Sequence, residues 1–187
     1  MRARSRTVIF VGLFAALTAI GAYIRIPLPY YVPLTLQTFF VLLAGNILGG
    51  KSGALSQLVY LLIGLAGIPV FAHGGGPGYV VQPTFGYLLG YPIASYVSGR
   101  LVTNAIANKK HYIFARVYVS NVLGVLLILS SGALYLFINI RYLVGKSIDF
   151  LSTFWSGFIV FLPGDLVKIL LVTIIVMKVN RYRPIIE

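Results

Sequence analysis

The sequence has 187 residues, 59% hydrophobic and 10% charged, with a mean hydropathy of +0.94; that is far too apolar for a soluble domain and leaves several runs long enough to cross a bilayer. Fifteen basic against three acidic residues give a net charge of +12, but the basic residues lie between apolar runs rather than along one face, so membrane topology accounts for them better than nucleic acid does. The chain has no cysteine, which excludes disulfides and thiolate metal sites.

Six apolar runs predict helices at about 7–26, 34–49, 52–68, 79–99, 113–140 and 150–179, and the chain reads as an all-α integral membrane protein, residues 1–187 forming one six-helix membrane domain. The first run follows Arg2, Arg4 and Arg6 in the manner of a secretory signal, yet it is long and lacks a small-residue cleavage site, so it is expected to stay as the first helix. Its segment GLFAALTAIGA sets Ala15 and Ala19 one turn apart with Ala22 near the same stripe. Such a smooth face suits close helix approach, either within the monomer or against a partner subunit.

Between the runs, Arg2, Arg4, Arg6, Lys51, Arg100, Lys109, Lys110, Arg116, Lys178, Arg181 and Arg183 fall on one side, and Arg25, Arg141 and Lys146 on the other. The positive-inside rule then places both termini in the cytoplasm and the connections near 27–33, 68–78 and 141–149 outside. The first of these, IPLPYYVPLTLQ, carries prolines at 27, 29 and 33 with Tyr30 and Tyr31 along an extended path. The second, GIPVFAHGGGPGYVVQPTFGY, has glycines at 74–76 and 78 that admit close approach of other groups to the backbone. Irregular backbone at membrane depth persists only when buried in protein or lining a cavity, so a pocket opening outward beneath these two loops is expected.

GNILGGKS, residues 45–52, fits the phosphate-loop spacing. That motif needs a strand before it and a helix after it in a soluble α/β domain, whereas here it joins two membrane helices, and the reading adopted is a cytoplasmic turn with a topogenic lysine. FLPGDLVKIL, residues 161–170, is different, because Asp165 and Lys168 share one helix face inside an apolar run. Ionisable groups there face the bundle interior and either neutralise one another or form the polar end of a ligand pocket. Gln37, Gln82, Thr84 and Asn121 are further polar candidates for the pocket, each also explicable as an interhelical hydrogen bond. His73 and His111 both lie in connections, so neither a metal centre nor haem ligation is expected. With no Ser/His/Asp set, no HExxH and no carboxylate pair, transport or ligand binding is favoured over catalysis.

The same residues carry a family resemblance. VPLTLQT, GLAGIPVF, PTFGYLLG and the later PGDLVK together resemble the signature of the BioY family, the biotin-binding S components of energy-coupling factor (ECF) vitamin transporters. The resemblance implies six helices, an outward-facing biotin site and no cofactor, with Asp165, Lys168, Gln37, Gln82, Thr84, Tyr87 and Phe71 as substrate-binding candidates and Tyr79 beside them. It also implies that Ala15 and Ala19 contact a transmembrane coupling subunit, that two ATPases on separate chains drive uptake, and that the S component reorients in the plasma membrane to deliver the vitamin. The family often has Gly-Pro-Thr-Gly-Gly-Tyr where this chain has QPTFGY, so Gln82 and Phe85 either point away from the pocket or reshape it. The same fold taking another vitamin, and a solitary carrier without ATPases, are the alternatives.

Overall fold

The computed structural model describes residues 2–28, 32–107, 112–145, 147 and 149–180, with the side chains of 2–4 and 180 left aside. Pro29, Tyr30, Tyr31, Lys109, Lys110, His111, Lys146, Arg181 and Arg183, together with the Arg2 and Arg4 side chains, lie outside the described residues.

The chain begins with α1 (Arg2–Tyr23), which leads into a small antiparallel hairpin of β1 (Arg25–Ile26) and β2 (Leu34–Thr35), with Arg25 opposite Thr35 and Ile26 opposite Leu34. The prolines at 27 and 33 stand just inside the two strands, at the ends of their connection; they can enter extended backbone but not a continuous helix. The second helix therefore starts later than its apolar run suggests, as α2 (Gln37–Leu48), and Gly49 at φ +80° turns the chain directly into α3 (Gly50–Leu65).

Glycines set the spacing of the next crossing. A Cβ on Gly45 would lie 2.2 Å from the Ser95 carbonyl oxygen, one on Gly53 would lie 2.5 Å from Gly45 Cα, and one on Gly50 would lie 2.6 Å from the Tyr96 carbonyl oxygen. These backbones touch with no side chain between them, a packing mode that suits a membrane bundle. The glycines of GNILGGKS thus bring α2 and α3 against the fourth helix, while the Lys51 side chain is exposed.

After α3 a loop closes on itself through paired backbone bonds between Phe71 and Gly74, then tightens into a 3₁₀ turn at Pro77–Val81. The fourth helix, α4 (Phe85–Ala107), packs along most of its length on α5 (Ile113–Ile138), which continues as a π-helical turn over Asn139–Leu143. The predicted span at 79–99 is therefore displaced: Pro77 starts a 3₁₀ turn, and the helix proper begins at Phe85.

The last predicted span, 150–179, is two helices. Asp149 caps α6 (Phe150–Gly157) by accepting from the Leu151 N–H at 3.2 Å; a 3₁₀ turn follows over Ile159–Phe161, and α7 (Leu162–Asn180) completes the fold. Pro163 explains the interruption, since it has no N–H to continue a helix from Ile159 but is well suited to a first helical turn.

Among the described residues, three segments are long and apolar enough to cross a membrane, Ser5–Tyr23, Ile113–Leu143 and Phe150–Val179, and Gln37–Leu48 is a shorter apolar helix. Val8, Leu62, Ile93, Leu134 and Val167 are all more than half exposed on the outer faces of different helices. Helices that are apolar outside as well as inside are those of a membrane bundle.

Candidate ligand-binding site

The interruption before α7 positions the site. Because α7 restarts at Leu162, Asp165 falls in its first turn, where the unpaired backbone N–H groups favour a negative charge. Lys168 stands one turn further along the same face, and Thr38 reaches the pair from the first turn of α2. Lys168 Nζ donates to Asp165 Oδ1 at 2.7 Å and to Thr38 Oγ1 at 2.9 Å, while Thr38 Oγ1 donates to Asp165 Oδ1 at 3.0 Å. Asp165 is 2% exposed and Lys168 8%, so this is a closed three-way contact at low dielectric. Both bonds to the carboxylate fall on Oδ1, which leaves Oδ2 as an acceptor edge for the cavity that Asp165, Lys168 and Thr38 line.

The remaining walls come from every part of the bundle near the loops. Leu34 and Thr35 of β2, Ala72 of the glycine loop, Tyr79 of the 3₁₀ turn, Tyr87 and Tyr91 of α4, and Phe161 ahead of α7 all border the cavity. Tyr87 OH donates to the Gly157 carbonyl at 2.5 Å, tying α4 to the end of α6, and its ring lies 6.0 Å from that of Phe161. Tyr79 OH and Thr84 Oγ1 share a hydrogen bond of 3.0 Å. Gln37 lines the cavity with its amide already engaged: Nε2 donates to Tyr60 OH at 2.7 Å, and Oε1 accepts from Thr35 Oγ1 at 3.0 Å. The result is an aromatic slot with one charged end, suited to a flat apolar ligand that carries a polar head.

Of the residues singled out from sequence, Asp165, Lys168, Gln37, Thr84, Tyr79 and Tyr87 meet around this cavity. Two do not. Gln82 is exposed at the end of the 3₁₀ turn and does not border it. Phe71 is 1% exposed but sits behind the wall, 4.5 Å from the Tyr79 ring and 5.4 Å from the Tyr60 ring, where it backs the slot instead of facing it. Phe85 also turns away, packing edge-on against Tyr135 at 6.0 Å. Asn121 is an interhelical contact, accepting from Asn46 Nδ2 at 2.7 Å and donating to Thr173 Oγ1 at 3.4 Å. His73 is exposed beside Ala72, and partial burial, followed by the charge of Arg25, holds its imidazole below the ordinary range.

Thr38, Tyr91 and Phe161 were missed. Thr38 was legible in principle, being the last residue of the polar cluster TLQT, whereas Tyr91 and Phe161 have no local mark that separates them from other aromatic residues of an apolar helix.

Of the two uses open to the small-residue face of α1, Ala15 and Ala19 serve packing within the monomer. Ala15 is 3% exposed and belongs to the core, and Ala19 is partly buried against it. The outward small residues are Gly12 and Ala16, and a Cβ on Gly12 would meet nothing within 4 Å.

The pattern of the BioY family matches residues 1–185. A protein of Lysinibacillus sphaericus named "Probable biotin transporter BioY" is 43% identical over 160 residues, covering 85% of this chain and 79% of that one. The "Biotin transporter BioY" of Thermotoga maritima is 37% identical over 177 residues, covering 94% and 96%. Among solved structures, the S component for biotin from an ECF-type ABC transporter superposes with a TM-score of 0.83 at 25% identity, covering 96% of this chain and 93% of that one. The chain belongs to the BioY family.

Proposed function

We propose that this chain is the substrate-binding subunit, or S component, of an ECF transporter in the plasma membrane, capturing biotin from outside and delivering it inward. The observation that carries the reading is the charged trio of Asp165, Lys168 and Thr38 at one end of an aromatic slot, in a member of this family. Biotin combines an apolar bicycle with two polar ends, a ureido group and a carboxylate. A carboxylate acceptor beside an ammonium donor matches the paired N–H groups and carbonyl of a ureido ring.

In this reading the chain crosses the membrane six times with both termini in the cytoplasm, supported by the eleven-to-three division of basic residues between its connections. The loops around β2 and Ala72 then face outward over the slot. A transmembrane coupling subunit and two ATPases complete the transporter. The coupling subunit docks on α1 where Gly12 and Ala16 leave a shallow face between Leu13 and Ile20, since small residues there let a second helix approach closely.

Uptake of labelled biotin by cells that lack their own transport, expressing this chain with and without a coupling module, tests the proposal. The expected result is uptake that depends on the module and is competed by biotin but not by other water-soluble vitamins. Competition by a different vitamin moves the fold to another substrate, and module-independent uptake favours a solitary carrier.

A further inference from the structure

Arg25 stands on the loop side of the slot, without a counter-charge among the described residues. Its backbone pairs with Thr35, which borders the cavity, and its Nη1 donates to the carbonyl of Ala72, which borders it from the opposite loop. Among the described residues its guanidinium has no carboxylate partner: the chain's acidic residues are Asp149, Asp165 and Glu187, Asp165 is held by Lys168, and Asp149 caps α6. The other described outward arginine, Arg141, is spent on aromatic faces, 5.6 Å from the Phe137 ring centroid and 5.9 Å from that of Tyr142. Arg25 is exposed, and its guanidinium has donors beyond the one given to Ala72. Its field extends over the rim, where it is the second cause, after partial burial, of the lowered pKa of His73.

We infer that Arg25 is a carboxylate subsite at the mouth of the pocket, fixing the ligand with its acidic tail outward and its neutral polar head at Asp165 and Lys168. A guanidinium has five N–H donors in a planar fork, so one can hold Ala72 while two others take a carboxylate. The Asp165–Lys168 pair at the deep end carries no net charge, whereas Arg25 at the rim carries an uncompensated positive one, so an acidic group is drawn to the rim and the two ends of the slot sort the two ends of the ligand. The same contact to Ala72 ties the first outward loop to the second, so an anion on Arg25 also stabilises the covering of the slot. The inference rests on biotin being the ligand.

The test is equilibrium binding of biotin and of its methyl ester, which keeps the bicycle and tail but loses the charge, to the purified chain and to Arg25→Ala and Arg25→Lys. Arg25 as a carboxylate subsite predicts that the wild-type chain prefers the acid by about 3- to 10-fold, a size set by a partly solvated charge pair. Arg25→Ala then weakens the acid more than the ester and so loses that preference, any loss of the loop tie to Ala72 falling on both compounds alike, and Arg25→Lys keeps part of the preference through its charge. Equal weakening of acid and ester in Arg25→Ala would make the residue a loop latch and overturn the subsite, as would unchanged binding of both. A folded wild-type chain that binds neither compound would instead remove biotin, a failure of the functional reading recognisable before any variant is compared.

Discussion

The buried pair of α7 gives the sharpest energetic prediction, because its two members are unequal. Breaking a buried ion pair by removing one partner costs about 3–5 kcal/mol, since the other charge is left uncompensated. Asp165 without Lys168 keeps the Thr38 hydroxyl as a donor and the N–H groups of the first turn of α7, so Lys168→Met should fall at the lower end of that range. Lys168 without the carboxylate is an ammonium, 8% exposed, facing the positive end of its own helix, and Asp165→Asn should fall at the upper end even though the amide oxygen still accepts. The double variant Asp165→Asn, Lys168→Met removes both charges and leaves an amide that can bond to Thr38, so it should cost less than Asp165→Asn alone. Thermal unfolding of the four proteins in one detergent measures this. A double variant whose loss equals the sum of the single losses would refute coupling between the charges and the argument that the pair neutralises itself.

Four further outcomes are expected. Gly64→Ala should unfold the chain or lower its melting temperature sharply in the same assay, because the new Cβ would sit 2.0 Å from the Phe71 ring and drive it into the Tyr60 and Tyr79 wall, whereas Gly78→Ala, with nothing within 4 Å and no positive φ, should melt like wild type. Tyr87→Phe should cost about 1–2 kcal/mol in denaturant titration, by leaving the Gly157 carbonyl without its donor. In a cell expressing the coupling module, Ala16→Trp should abolish uptake while the purified variant still binds biotin; retained uptake would remove the α1 docking face. Ala15→Trp, placed at a core position, should instead reduce the amount of folded protein recovered.

The helices were legible because hydrocarbon imposes long apolar runs, and the charged pair because an ionisable residue inside such a run has few explanations. Their ends were not. The run from Phe150 to Val179 reads as one apolar span around its charged pair, and Pro163 marks the place where it restarts; that restart puts Asp165 in a first turn and Phe161 on the pocket wall. Similar reasoning separates Ala15 from Ala16. Both are small and adjacent, and nothing in a helix apolar on all sides says which face is the core. That Gln82 and Phe71 do not line the cavity has a related reason: a loop rich in glycine fixes no side-chain direction from spacing alone. The phosphate-loop spacing of GNILGGKS, by contrast, resolves into a packing requirement, since Gly45 and Gly50 sit where three backbones touch and Gly49 makes the turn between them.

The most direct test of the account is a binding titration of labelled biotin against the purified chain, Asp165→Asn and Thr38→Val, with each protein first shown to be folded. One biotin per chain, with affinity lowered in both variants by an amount on the order of 1–3 kcal/mol, is the result predicted when a charged acceptor or its hydroxyl bridge is lost from the polar end of the slot. Wild-type affinity in both variants, or no biotin bound by the folded wild-type chain, would contradict it.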